Sequence, residues 1–153
     1  MRLAQFLTEK NICPDLKAQH RDGAVQELVL RLVQVAKLKQ EQLEPLVRAV
    51  VRREALGTTA IGRGVAVPHA RVEGLSRTYL ILGLSKEGVD FDALDGELVH
   101  AIFLVIGSEK AADEYIEILK RISSLIRNDD FRRFLAKAHT ASEVVELVAE
   151  MDR

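Results

Sequence analysis

The chain has 153 residues, enough to bury a sizeable core without disulfide or metal staples. Its 48% hydrophobic and 29% charged residues exclude a disordered chain, and a formal net charge of −1 gives no bulk attraction to nucleic acid or to an acidic membrane surface. Cys13 is the single cysteine, which excludes an intramolecular disulfide and a cysteine-based metal centre.

The N-terminal apolar run is too short for a secretory signal, and the longest apolar run, residues 99–106, is strand-sized. A cytoplasmic protein with no direct membrane insertion is expected. After Pro14, residues 15–18 read as a short strand. Val25, Leu28, Val29, Leu32, Val33 and Ala36 then recur at helical spacing. Leu43, Leu46, Val47, Val50 and Val51 predict a second amphipathic helix ending near Leu56-Gly57. Arg48, Arg52 and Arg53 fall in its last turns, where cations complement the helix dipole.

The character then changes. Gly57, Gly62, Gly64 and Pro68 punctuate a stretch of little charge, within which residues 64–67 read as a short strand. Residues 78–84 have a buried-strand pattern. Residues 88–96 read as an extended piece closing on the Asp95-Gly96 turn. Residues 98–106 are apolar almost throughout, as a central strand covered on both faces requires. The last third is helical: 113–126 with Ile116, Leu119, Ile122 and Ile126 on one face, a short helix opened by Asp129-Asp130, and a third opened by the capping box Thr140-Ala-Ser-Glu143. No linker, repeat or low-complexity segment interrupts the chain. One domain over 1–153 is expected, an α/β sandwich with a mixed central sheet and helices on both faces.

Glycine spacing alone reads as a tight loop between a helix and a strand. No Gly-Lys-Ser/Thr follows, so it is not a P-loop, and the dinucleotide spacing is absent. His69 ends the segment directly after Pro68, whose ring restricts the backbone on both sides. A neutral imidazole nitrogen can attack a phosphoryl group when the other nitrogen is held by a hydrogen bond. Thr58, Thr59 and the N–H groups of the glycine loop can supply neutral donors to the phosphoryl oxygens, and Arg53 a charged one. His20 reads as a solvated loop residue, His100 as a packing or edge residue of a strand, and His139 as a residue near a helix end. A metal site from His69, His100 and Asp95 has no ligand spacing in its favour.

The uninterrupted run Arg53-Glu-Ala-Leu-Gly-Thr-Thr-Ala-Ile-Gly-Arg-Gly-Val-Ala-Val-Pro-His69 resembles the signature of enzyme IIA domains of the fructose–mannitol type in the bacterial sugar phosphotransferase system, a family that includes the nitrogen-regulatory IIA proteins. Val89-Asp-Phe-Asp-Ala-Leu-Asp-Gly-Glu-Leu-Val99 resembles the family's stretch around its Asp-Gly-x-Pro-Val, with Leu98 where proline is usual. The resemblance implies that His69 accepts a phosphoryl group from HPr or a related carrier and passes it to a IIB domain, or that its phosphorylation state signals to a regulatory target protein. It implies that Arg53 offsets the phosphate charge; read with it from the residues themselves, Thr59 is a further stabilising donor and the Gly62–Gly64 loop a close wall. No cofactor is implied, since the phosphate arrives on a protein. The family commonly carries a second histidine at the start of the long helix after the strand, and Tyr115 stands at that place. A phenol, with a pKa of about 10, can donate a hydrogen bond but cannot shuttle a proton near neutral pH. Efficient relay to a sugar-specific IIB domain and a non-transport regulatory module switched by His69 phosphorylation both remain open.

Overall fold

The computed structural model describes residues 1–152. A five-stranded mixed sheet carries helices on both faces, as the patterning predicts. Its strands are β1 (Ile12–Cys13), β2 (Val65–Ala66), β3 (His69–Val72), β4 (Tyr79–Val89) and β5 (Val99–Ser108). The order is β1-β4-β5, with β2 and β3 successively paired to the far side of β5. Only β4 and β5 are antiparallel; β1 runs parallel to β4, and β2 and β3 run parallel to β5.

The two long strands are apolar because both their faces are covered. Ile102, Leu104 and Ile106 of β5 join one cluster, while Ala101, Phe103 and Val105 join the other. This alternation is the period-2 consequence of the pleat. Helices α1 (Arg21–Val35) and α2 (Leu43–Leu56) cover the first face. Helices α3 (Ala112–Ile126), α4 (Asp129–Lys137) and α5 (Ala141–Met151) cover the second. Residues such as Phe103, Leu80 and Phe131 lose all solvent contact, each such side chain contributing about 1.5–3 kcal/mol of transfer free energy.

Helix starts follow local chemistry. Asn128 Oδ1 accepts from the N–H groups of Asp130 and Phe131 at α4, and Thr140 Oγ1 accepts from Glu143 N at α5. One expected strand is displaced. The first pairing lies at Ile12–Cys13, before Pro14, and residues 15–18 are irregular. The Glu27 carboxylate on α1 accepts the N–H groups of Lys17 and Ala18, which a strand would have spent on its neighbour. The chain also forms a strand that the sequence reading did not place, β3, which begins at His69 and runs along the carboxyl-terminal half of β5.

Candidate active site

The site is assembled from the end of α2, the start of β3 and the first turn of α3. At the end of α2, Arg53 Nη1 donates to the Gly57 carbonyl (3.1 Å), satisfying one of the carbonyls that a helix terminus leaves open. The next residue, Glu54, points inward and is only 3% exposed. Its carboxylate accepts from Thr58 Oγ1 (2.9 Å), Thr59 N (2.7 Å) and Thr59 Oγ1 (2.8 Å), which turns the chain sharply away from the helix. Thr59 Oγ1 in turn accepts from Val67 N at 3.2 Å.

His69 Nδ1 lies 2.7 Å from the Val67 carbonyl oxygen. A carbonyl can only accept, so Nδ1 carries the proton and the lone pair of the neutral ring resides on Nε2. The imidazole opens on a cleft lined by Arg52, Arg53, Leu56, Arg71 and Tyr115. Arg71 projects from β3 two residues beyond His69, hence on the same face. Among the described residues, none of these three guanidinium groups has a carboxylate within ion-pair distance. Glu109 is the one acidic side chain in the lining. Arginine forks with open donors beside an unencumbered ring nitrogen suit a tetrahedral dianion in contact with that nitrogen.

Tyr115 closes the cleft from α3. Its ring centroid is 6.2 Å from that of His69, with the planes tilted by 55°, and Arg71 Cζ is 5.9 Å from its ring centre. Burial pushes its phenol up to about 12, against smaller opposing effects of Arg71 and Arg53. The ring packs directly onto β5 at Gly107, where an added Cβ would lie 2.5 Å from Tyr115 Cδ1.

The structure thus brings His69, Arg53 and Tyr115 together. It places two other expected elements elsewhere. The Thr59 hydroxyl proton is committed to Glu54, so Thr59 has none to offer a phosphoryl oxygen, and it does not line the cleft. The Gly62–Gly64 loop is not a wall of the site. Val65 lies opposite Ala101 and His69 opposite Val105, four residues of β5 apart, or about 13 Å. The loop packs instead on the Asp95 turn. Asp95 accepts from Arg63 N, a Cβ at Gly62 (φ +143°) would approach its Oδ2 to 3.1 Å, and the Gly64 carbonyl (φ +76°) accepts from His100 N and Ala101 N. His100 Nδ1 bonds the Ser85 carbonyl, His20 precedes α1 and bridges to Asp90, and His139 is exposed between α4 and α5. Among the described residues, no three His, Cys, Asp or Glu side chains gather as metal ligands would. Arg71, Glu54 and Gly107 were not singled out from sequence. Continuing the strand past His69 would have flagged Arg71, by period-2 alternation; Glu54 lies inside the Arg53–His69 run but its inward direction is not readable there, and Gly107 carries no local signal.

The class that the fold and cleft define is a mixed-sheet α/β sandwich with one histidine set among arginines. The chain belongs to the family described as "Phosphoenolpyruvate-dependent sugar phosphotransferase system, EIIA 2", whose model matches residues 5–151, and it is a phosphocarrier component of that system. It is 28% identical over its whole length to the fructose-specific EIIABC component of Bacillus subtilis, of which it spans only 24%. It is 31% identical to the nitrogen regulatory protein of Pseudomonas aeruginosa, over 99% of this chain and 97% of that one. The crystal structure of nitrogen regulatory protein IIA-Ntr from Neisseria meningitidis superposes with a TM-score of 0.86 at 27% identity, covering 95% of this chain and 98% of that chain. No helix among the described residues is long and apolar enough to cross a membrane.

Proposed function

We propose that His69 Nε2 is the phosphoryl acceptor of this domain, with Arg53 and Arg71 neutralising the transferred group. The observation that carries this reading is the 2.7 Å hydrogen bond from Nδ1 to the Val67 carbonyl, which leaves the nucleophilic lone pair on Nε2. The donor is a phosphohistidine of HPr or a related carrier. Its N–P bond breaks with the electron pair returning to the donor imidazole, while the Nε2 lone pair forms the new N–P bond. No proton leaves His69. The Val67 carbonyl offsets the positive charge that grows on the ring, and the arginines offset the charge on the phosphoryl oxygens. Onward transfer goes to a IIB domain, or the phosphorylated state is read by a regulatory target, in the cytoplasm.

The test is incubation with phosphoenolpyruvate, enzyme I and HPr, read by intact mass. One added phosphoryl group on the wild type and none on His69→Ala is expected. An unlabelled wild type, or equal labelling of the variant, overturns the proposal.

The regulatory reading draws support from Tyr115. A phenol pushed up to about 12 offers no proton exchange beside His69 at neutral pH, where the family commonly has a second histidine. Mixing the phosphorylated protein with a purified IIB domain separates the two readings. Loss of the label to IIB supports relay, and retention supports signalling.

A further inference from the structure

We infer that the buried carboxylate of Glu54, acting through Thr59, holds the Val67 carbonyl in place and thereby selects the tautomer of His69, making Glu54 and Thr59 positioning residues for phosphoryl acceptance. The inference rests on the reading of His69 as the acceptor. The connection is continuous. Glu54 Oε1 accepts the Thr59 hydroxyl proton (2.8 Å), and Oε2 accepts Thr59 N (2.7 Å). The hydroxyl therefore turns its lone pairs outward, and one accepts Val67 N (3.2 Å). That bond orients the peptide unit before Val67, whereas His69 is held by the carbonyl after it. Two features couple these peptide units. Val67 precedes Pro68, which confines its backbone to extended conformations. The Pro68 carbonyl accepts from Val105 N (3.0 Å), fixing the far side to the sheet. Val67 is thereby held from both ends, and its carbonyl has one direction to point.

The acidic group matters at the first step. A carboxylate has only acceptors, so it receives both the Thr59 N–H and the Thr59 O–H. An amide at position 54 presents a donor to one of them, reversing or breaking the Thr59 hydroxyl bond. Without a positioned Val67 carbonyl, an imidazole whose two tautomers are close in energy divides its proton between both nitrogens, and the fraction with a lone pair on Nε2 falls.

The test uses the full chain. Long-range ¹H–¹⁵N spectra of the unphosphorylated protein above pH 8 report the His69 tautomer without any partner. Phosphorylation by phospho-HPr reports the rate. The expected result is a nearly pure Nδ1–H form in the wild type and a mixture in Thr59→Val and Glu54→Gln. Saturating phosphorylation rates should fall roughly 10- to 100-fold, the range known for hydrogen-bond partners that orient metal-ligating imidazoles, with the KM for HPr little changed. Thr59→Ser, which restores the hydroxyl, should recover both the tautomer and most of the rate. Circular dichroism selects folded variants, and Thr59→Val, which breaks the same connection one bond later, covers the case in which Glu54→Gln does not fold. A folded Thr59→Val with the wild-type tautomer and rate overturns the inference, as does a Thr59→Ser variant that behaves like Thr59→Val. If the tautomer shifts as expected but no variant, wild type included, takes up phosphate, the positioning stands and the phosphocarrier reading falls.

Discussion

His69 and Arg71 occupy alternate positions of one short edge strand, so a ring nitrogen with an open lone pair and an unpaired guanidinium face the same cleft. The pairing of β3 with β5 creates this relationship. His69 lies opposite Val105 and Arg71 opposite Gly107, and the absent side chain at Gly107 admits the ring of Tyr115.

Arg71 is exposed and makes no ion pair among the described residues, so its removal should leave folding stability within about 0.5 kcal/mol. Phosphoryl acceptance in Arg71→Ala should nonetheless fall on the order of tenfold or more, because a donor to the transferring group is lost. Arg71→Lys should recover only part of it, since an ammonium lacks the planar fork. Thermal melts and phosphorylation time courses check both statements.

Gly107→Ala should destabilise the fold by about 1–3 kcal/mol, because a methyl group there meets the backbone-proximal end of the Tyr115 side chain. The added Cβ would stand 3.0 Å from Tyr115 Cγ and 3.1 Å from its Cβ, which a simple ring rotation does not relieve. Tyr115→Ala should soften the penalty. A double-mutant cycle in urea should show a coupling of the corresponding sign, and additivity would contradict the steric account.

Tyr115 holds its proton more tightly in the folded state, with burial raising the phenol to about 12 against about 10 when unfolded. The folded state is therefore favoured by the neutral phenol. This contribution is complete below pH 10 and is lost as pH rises from about 10 through about 12. The urea midpoint of Tyr115→Phe should fall less steeply than that of the wild type across this window. The ultraviolet difference between the two should place the Tyr115 phenolate near the upper end.

Asp152 ties the two ends of the described chain together. It is 5% exposed, its Oδ2 accepts from Leu3 N (2.6 Å) and its Oδ1 from Arg121 Nη1 (2.9 Å). Asp152→Ala leaves the buried Leu3 N–H unpaired and should cost about 1–3 kcal/mol. Because β1 and α5 lie at the opposite edge of the sheet from β3, phosphorylation of the folded fraction at 20 °C, assayed at a temperature well below the melt, should match the wild type.

Much of this protein is legible along the chain. The five helices follow from apolar periodicity and from the Thr140 capping box, although α3 buries Tyr115, Ile118, Ile122 and Leu125 and exposes the expected Ile116, and the two central strands follow from unbroken apolar runs. His69 stands out because proline, glycines and an upstream arginine form one continuous motif. These are local signals, since helix periodicity, capping and motif spacing act over a few residues. The tertiary structure decided the rest, and the reason is distance along the chain. Thr59 has the residue type of a phosphate donor, yet Glu54 takes its proton and Val67 takes its lone pair. The Gly62–Gly64 loop is expected as a close wall of the site, yet Val65 after it and His69 pair with β5 residues about 13 Å apart, and the loop packs on Asp95. Arg71 and Gly107 acquire their roles only when β3 is laid along β5. Sequence alone thus singles out His69 as the candidate acceptor, but the Val67 carbonyl that holds its Nδ1 and the cations that face the ring take their places only when the turn after α2 closes and β3 and α3 are laid against β5.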